Sequence, residues 1–149
     1  TGEAEYVLLI AEDGIYVGAG SDHTDRKLEI TNIPKAKQMC PNFISENVWR
    51  FDDVKDVWDN IQMRSWIGKN RETLYQDATL EAFMRPEELM DRVKALLGGK
   101  LEPGVVIFSG TVGAIVSGAP FSDHFEVELL TPDGKALTSG YDVKLMPSI

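Results

Sequence analysis

The sequence predicts an α+β fold, a mixed and largely antiparallel β-sheet carrying two or three short helices, and three observations support this. Two unbroken apolar runs, Tyr6 to Ile10 and Val105 to Phe108, read as strands buried within a sheet, because a strand covered on both faces loses the polar alternation of a half-exposed one. Asp13-Gly14 and Pro132-Asp133-Gly134 each fall between β-type segments and mark tight hairpins, so successive strands run antiparallel. Between Pro86 and Leu97 the apolar residues recur at helical rather than alternating spacing.

Taken in order, the first strand ends in the turn Ala11-Glu12-Asp13-Gly14, with Ile15 to Gly18 as its return strand. Gly18-Ala19-Gly20-Ser21 then frees the backbone. Asp22-His23-Thr24-Asp25-Arg26 reads as a helix start, with Ser21 or Asp22 as N-cap and Asp25 in the first turn. Two prolines and weak periodicity make residues 32–50 a surface loop. From Asp52 to Met63, Val54, Val57, Trp58 and Ile61 recur at helical spacing behind acids that suit a helix N-terminus. Arg64 to Ile67, Gly68 to Asn70 and Glu72 to Gln76 read as strand, turn and strand. Pro86 at the first helical position, Leu89, Val93, Leu96 and Leu97 on one face, and Gly98-Gly99 at the end define the clearest helix. Phe125 to Leu130 and Lys135 to Val143 flank the last hairpin.

The chain has 149 residues, 43% of them hydrophobic, which is enough for one globular domain with a sizeable core. A net charge of −9, with no clustering of Lys and Arg, argues against nucleic acid and anionic membranes as partners and suits small molecules and cations. No apolar run approaches the ~20 residues of a membrane span, and the single Cys40 excludes an internal disulfide. The expected location is the cytoplasm. The first residue is Thr1, and a strand end so close to it needs support on its N-terminal side. The expectation is one domain over residues 1–149 that lacks its N-terminal portion or is covered there by a neighbouring chain.

Glu3 and Glu5 are the leading candidates for chemistry. On a strand, carboxylates two apart leave the same face roughly 6.6 Å apart at Cα, close enough to converge on one cation. They precede a core strand, where two like charges raise each other's pKa unless something positive offsets them. Asp22 follows the hairpin and can return beside them. Glu126 and Glu128 repeat the spacing, but they alternate with Phe125, Val127 and Leu129 and so belong to the polar face of a half-exposed strand. His23 and His124 lack the close His or Cys partners of a zinc site and read as exposed or locally hydrogen-bonded. Cys40 reads as a buried thiol and Trp58 as core, and three tryptophans in 149 residues need no function to explain them. The glycine-rich stretch SGTVGAIVSGAP matches neither the dinucleotide fingerprint nor the P-loop, and no Lys follows it.

Five stretches, in order, resemble the C-terminal part of the fumarylacetoacetate hydrolase superfamily. EAEYVLLI resembles its E-x-E metal-binding strand. GSDHTDR resembles its segment in which Asp is followed shortly by Arg. Lys37 with Met39-Cys40-Pro41 resembles its lysine-then-proline loop. Trp66 to Thr79, with Gln76 and Thr79, is similar to its NGE hairpin with the Gln and Thr that follow. PGVVIFSGTVGAI resembles its PGDVI-x-TGTP-x-G strand and loop. The chain departs from that pattern where Val105 and Val112 replace Asp and Pro, and where Asp22 comes 17 residues after Glu5 with room for only a tight hairpin instead of a helix. A His-Glu pair that several members use as general acid and base would lie upstream of Thr1.

The resemblance implies a β-sheet roll of that superfamily's C-terminal type, a homodimer, and a metal held by Glu3, Glu5 and Asp22. Hard oxygen ligands favour Mg²⁺, with Mn²⁺ or Ca²⁺ as substitutes. It implies an enzyme for small 2-oxo acids or β-dicarbonyl compounds, a C–C hydrolase, hydratase or decarboxylase working through a metal-stabilised enolate. Lys37 is then the catalytic candidate, binding a carboxylate or polarising a carbonyl, beside the alternative of a solvated loop lysine. Thr111 is a candidate for a hydrogen bond to substrate. Arg26 is either a substrate contact or an anchor for Asp22 or Asp25. A scaffold that keeps the fold without catalysis, for ligand binding or assembly, is the other reading.

Overall fold

The computed structural model describes residues 1–118 and 120–145, so Ala119 of the glycine-rich stretch and the last four residues lie outside the description. The strands are β1 (Ala4–Ala11), β2 (Gly14–Asp22), β3 (Asn42–Ile44), β4 (Trp49–Arg50), β5 (Gln62–Ile67), β6 (Thr73–Thr79), β7 (Val106–Phe108), β8 (His124–Leu130) and β9 (Ala136–Asp142). The helices are α1 (Arg26–Glu29), α2 (Ile33–Gln38), α3 (Phe51–Val54) and α4 (Pro86–Leu96), with 3₁₀ turns at Lys55–Asn60, Lys69–Arg71 and Leu80–Ala82. Strands β3-β2-β1-β7 form one sheet with β4 also on β2, and β6-β5-β8-β9 form the other. Every strand pairing among the described residues is antiparallel. The α+β class and its antiparallel character are therefore as expected, with four short helices rather than two or three.

The core lies between the sheets, where burying apolar side chains supplies the main driving force. Tyr6, Leu8, Val17 and Ala19 of the first sheet belong to one cluster with Met63, Phe125, Val127, Leu129 and Leu137 of the second. Trp58, fully buried, sets its indole edge-on to Tyr6, the ring centroids 4.9 Å apart. Strand β1 is interior to its sheet, and of its apolar run Tyr6 to Leu8 are buried as predicted, while Leu9 and Ile10 are only partly buried. Strands β8 and β9 alternate strictly between buried and less buried residues.

Several local expectations need correction. Strand β7 is an edge strand with Val106 exposed, because among the described residues only β1 pairs with it. The glycine run 18–21 is not a release of the chain. Strand β2 continues through it to Asp22, and bare glycine is needed there because a Cβ on Gly20 would meet Val7 Cγ2 and, at 2.8 Å, the Phe43 carbonyl oxygen. The N-cap is Asp25 rather than Ser21 or Asp22, its carboxylate accepting from the Lys27 and Leu28 amides. Residues 32–50 are not one loop. Asn32 caps α2, whose amide at Lys35 donates to the Asn32 side chain at 3.0 Å, and β3 and β4 follow.

The helix read over Asp52 to Met63 is a four-residue α3 that tightens into 3₁₀, leaving Val57 exposed, and Gln62 already opens β5. Helix α4 forms where its spacing places it, but Leu96 and Leu97 face solvent. Glu126 and Glu128 are not plain solvent charge. Arg71 ion-pairs with both, at 2.7 and 2.6 Å, while its guanidinium lies 4.1 Å from the centre of the Trp66 ring. Cys40 is only partly buried.

Candidate metal centre

The β1–β2 hairpin creates the site by register. Ala4 faces Ser21 and Glu5 faces Gly20. Continuing by one residue brings Glu3 opposite Asp22, and the Asp22 amide donates to the Glu3 carbonyl at 3.1 Å. Directly opposed residues on antiparallel strands point to the same face, as do residues two apart on one strand. Glu3, Glu5 and Asp22 therefore converge, with one carboxylate oxygen of each within 4.8 Å of the others. The tight hairpin thus returns Asp22 to the pair without an intervening helix.

Burial makes this convergence costly. Glu3 is 8% and Glu5 2% exposed. The Glu5 carboxyl is pushed up to about 7, first by burial and further by the charges of Asp22 and Glu3, against a hydrogen bond from the Gly110 amide at 2.9 Å. Positive charge reaches the cluster from two side chains. Lys37 Nζ lies 2.5 Å from Glu3 Oε2 and 2.8 Å from Asp22 Oδ2, and also donates to Thr24 Oγ1 at 3.1 Å. Burial works against its charge, yet the bonds to Asp22 and Glu3 hold its pKa above the ordinary lysine value. Arg26 Nη1 pairs with Glu3 Oε1 at 2.8 Å and with Glu29 Oε2 at 2.9 Å, so it anchors Glu3 rather than Asp22 or Asp25. Arg26 Nε is buried without a partner.

The donor set suits a hard divalent cation. Oxygens on opposite sides of an ion with bonds of 2.1–2.6 Å lie about 4 to 5 Å apart, which accommodates the observed spread. Without such an ion the Lys37 ammonium bridges two of the three carboxylates, and Glu5, which has no cationic side chain bonded to it among the described residues, has its pKa raised to about 7. Both features describe a cluster short of positive charge.

Glu3 and Arg26 also border a cleft of about 370 Å³, whose walls include Gln76, Thr111 and Val112. Gln76, 2% exposed, is the joint of this wall. Its Oε1 accepts from the Ala4 amide and Ser65 hydroxyl, and its Nε2 donates to Thr111 Oγ1 and the Val112 carbonyl. Thr111 spends its one proton on the Ala4 carbonyl at 2.7 Å, so toward a ligand it can only accept. Lys37 is on helix α2, not on a solvated loop.

Other residues of the centre went unmarked. Gly110 holds Glu5 through its amide at φ 78°, a conformation glycine adopts freely. Tyr141 sits 2.8 Å from Ser21 Oγ and 2.9 Å from His23 Nδ1, behind the cluster. His23 is buried in this network rather than exposed, and burial lowers its pKa to about 4. His124 Nδ1 lies 2.8 Å from Asp142. A Tyr more than 100 residues from its partners leaves no local pattern, whereas Gly110 was within reach of the TGTP-like stretch.

Two antiparallel sheets closed over one core, with the acidic residues at the end of the first hairpin, give a fold of the fumarylacetoacetate hydrolase C-terminal type. The chain belongs to the family described as Protein of unknown function (DUF2848), whose profile matches residues 1–141. It superposes on a structure of 2-keto-3-deoxyarabinonate dehydratase with a TM-score of 0.67 at 17% identity, covering 93% of this chain and 51% of the other. A second structure, of 2-keto-3-deoxy-D-arabinonate dehydratase complexed with magnesium and 2,5-dioxopentanoate, gives 0.61, 17%, 93% and 51%. A third, of the protein Cg1458, gives 0.62, 20%, 93% and 58%. The chain thus spans about half the length of the structures it matches. No curated protein matches it. No described helix is long and apolar enough to cross a membrane.

Proposed function

We propose that this chain carries the metal centre of a divalent-cation-dependent enzyme acting on small 2-oxo acids or β-dicarbonyl compounds. Hydration or dehydration is the favoured reaction, ahead of C–C hydrolysis and decarboxylation. The observation that carries this reading is the convergence of Glu3, Glu5 and Asp22 beside Lys37, with Glu3 on the rim of a cleft. The likeness in fold to a dehydratase complexed with magnesium and a dioxo compound supports it.

Glu3, Glu5 and Asp22 would hold Mg²⁺, or Mn²⁺ or Ca²⁺ in its place, and the cation supplies Lewis-acid stabilisation of negative charge on a carbonyl oxygen. The chain's own residues set the rest. Lys37 is a cation at neutral pH, since its acidic neighbours hold its proton, so it serves as a donor to a carboxylate or carbonyl rather than as a base. Arg26 fixes the rotamer of Glu3. Thr111 offers an acceptor to a substrate hydroxyl, and the cleft limits the ligand to a small molecule.

Calorimetric titration of Mg²⁺ and Mn²⁺ into the wild type and Asp22→Ala, followed by a screen of 2-oxo acids, tests this. Saturable binding that Asp22→Ala removes, with cation-dependent turnover, is expected; a folded wild type that binds neither ion sinks the reading. Binding without turnover would favour a non-catalytic scaffold. One observation leans that way: among the described residues, neither His23 nor His124 borders the cleft.

A further inference from the structure

The ligands Glu3 and Asp22 both sit at the open end of the β1–β2 hairpin. The last ladder pair is Ala4 with Ser21, so Glu3 precedes β1 and Asp22 is the final residue of β2. Asp22 also pairs with Asn42 of β3, and beyond it the Thr24 amide donates to the Thr1 carbonyl at 3.1 Å. The Asp22 amide bond to the Glu3 carbonyl is the one backbone link beyond the ladder between these two residues. Lys37 bridges the two carboxylates from helix α2, and what these links leave to be supplied is a tie to the opposite sheet.

Tyr141 on β9 of the opposite sheet meets that need. Its ring stacks on Phe43 with centroids 3.6 Å apart and planes 8° from parallel, and Phe43 is the β3 residue paired with Ser21. Its hydroxyl bonds Ser21 Oγ at 2.8 Å and His23 Nδ1 at 2.9 Å, the two neighbours of Asp22 in the chain. Ser21 Oγ in turn accepts the Glu3 backbone amide at 3.2 Å. One phenol oxygen therefore ties the side chains on both sides of Asp22 and, through Ser21, the backbone of Glu3. Ser21, His23 and Tyr141 are all buried, so water does not compete freely for these bonds. The stack anchors the oxygen from behind by joining the two sheets.

We infer that Tyr141 is a positioning residue for the metal centre: acting through Ser21 and His23, its hydroxyl fixes the separation of Glu3 and Asp22 and so the affinity of the cluster for a divalent cation. The inference rests on the function proposed above. Groups that orient metal ligands from outside typically change affinity by about 10- to 100-fold when removed.

The test is Mn²⁺ titration, by calorimetry and by the electron paramagnetic resonance signal of free and bound Mn²⁺, on wild type, Tyr141→Phe and Ser21→Ala. Tyr141→Phe keeps the ring stack and removes a single oxygen. Ser21→Ala cuts the link to Glu3 while leaving the phenol on His23, and serves if the first variant fails to fold. Thr138→Ala, at an exposed position of the same strand, is the control. Expected are Mn²⁺ affinities about tenfold weaker in both site variants, a changed spectrum of the bound ion, and a control matching wild type. Folded variants that bind within about twofold of wild type, even if they melt at lower temperature, would assign Tyr141 to stability alone and overturn the inference. A wild type that binds no Mn²⁺ would overturn the metal centre itself, and this role with it.

Discussion

Lys37 shows how one side chain can serve two states of a site. Its ammonium bridges Glu3 and Asp22, so in the absence of a divalent ion it supplies charge that the cluster otherwise lacks. The same charge opposes an incoming cation. Lys37→Met should therefore lower the melting temperature of the cation-free protein while tightening Mg²⁺ binding by about tenfold, given the size of unit-charge interactions over a few ångström in a partly solvated site. Calorimetry beside a thermal melt in chelator checks both parts, and weaker Mg²⁺ binding would show instead that Lys37 supports the ligands. At this scale the sequence was informative about the acids and less so about their partners. Glu3, Glu5 and Asp22 are readable because a hairpin's register is arithmetic on residue numbers. The Lys37 and Tyr141 contacts join residues 34 and 118 or 120 apart in the chain, and no periodicity spans such distances.

Among the elements, β2 best shows what local rules miss. Gly18 to Ser21 looks like freed backbone because glycine is disfavoured in strands. Here glycine is selected by close packing. Gly20 lies opposite Glu5 on one side and Ile44 of β3 on the other, with no room for a Cβ against the Phe43 carbonyl. Gly20→Ala should destabilise the fold by about 1–3 kcal/mol, the usual cost of overpacking. It should also weaken cation binding by displacing Phe43 and, with it, the ring of Tyr141. Chemical denaturation and Mn²⁺ titration of the same sample separate the two effects, and a variant as stable as wild type would mean that β3 yields without strain. The same logic explains residues 32–50. Asn32 and Pro34 are helix-start signals hidden among loop-forming residues, and α2 is docked through the buried Ala36 and the Lys37 contacts to the acids, which no local pattern shows. Strands with two-residue alternation or an unbroken buried run, such as β1, β8 and β9, were legible because burial in a sheet dictates those patterns directly.

For the whole molecule, the proton balance of the site sets how stability responds to pH. Glu5 has a folded-state pKa of about 7, above its ordinary 4.5, so the folded protein holds a proton there that the unfolded chain releases. Its contribution is complete below about 4.5 and is lost as pH rises through 7. His23 behaves oppositely. Its pKa falls from 6.5 to about 4, so its contribution is complete above 6.5 and is lost as pH drops toward 4. Across the shared window from 4.5 to 6.5 the two slopes oppose each other, and together these groups leave stability nearly flat. Glu5→Gln removes one of them. The variant should then gain stability with rising pH over that window relative to wild type, by up to about tenfold in the folding constant per pH unit. Saturating Mg²⁺ should produce the same tilt in wild type, because a bound cation keeps Glu5 ionised in the folded state and proton uptake then competes with the ion. Urea denaturation of both proteins at several pH values, in chelator and in Mg²⁺, measures all four slopes, and the other carboxylates add a background that the comparison removes. A wild type whose slope in Mg²⁺ equals its slope in chelator would separate Glu5 from the cation site and leave its raised pKa a consequence of burial alone.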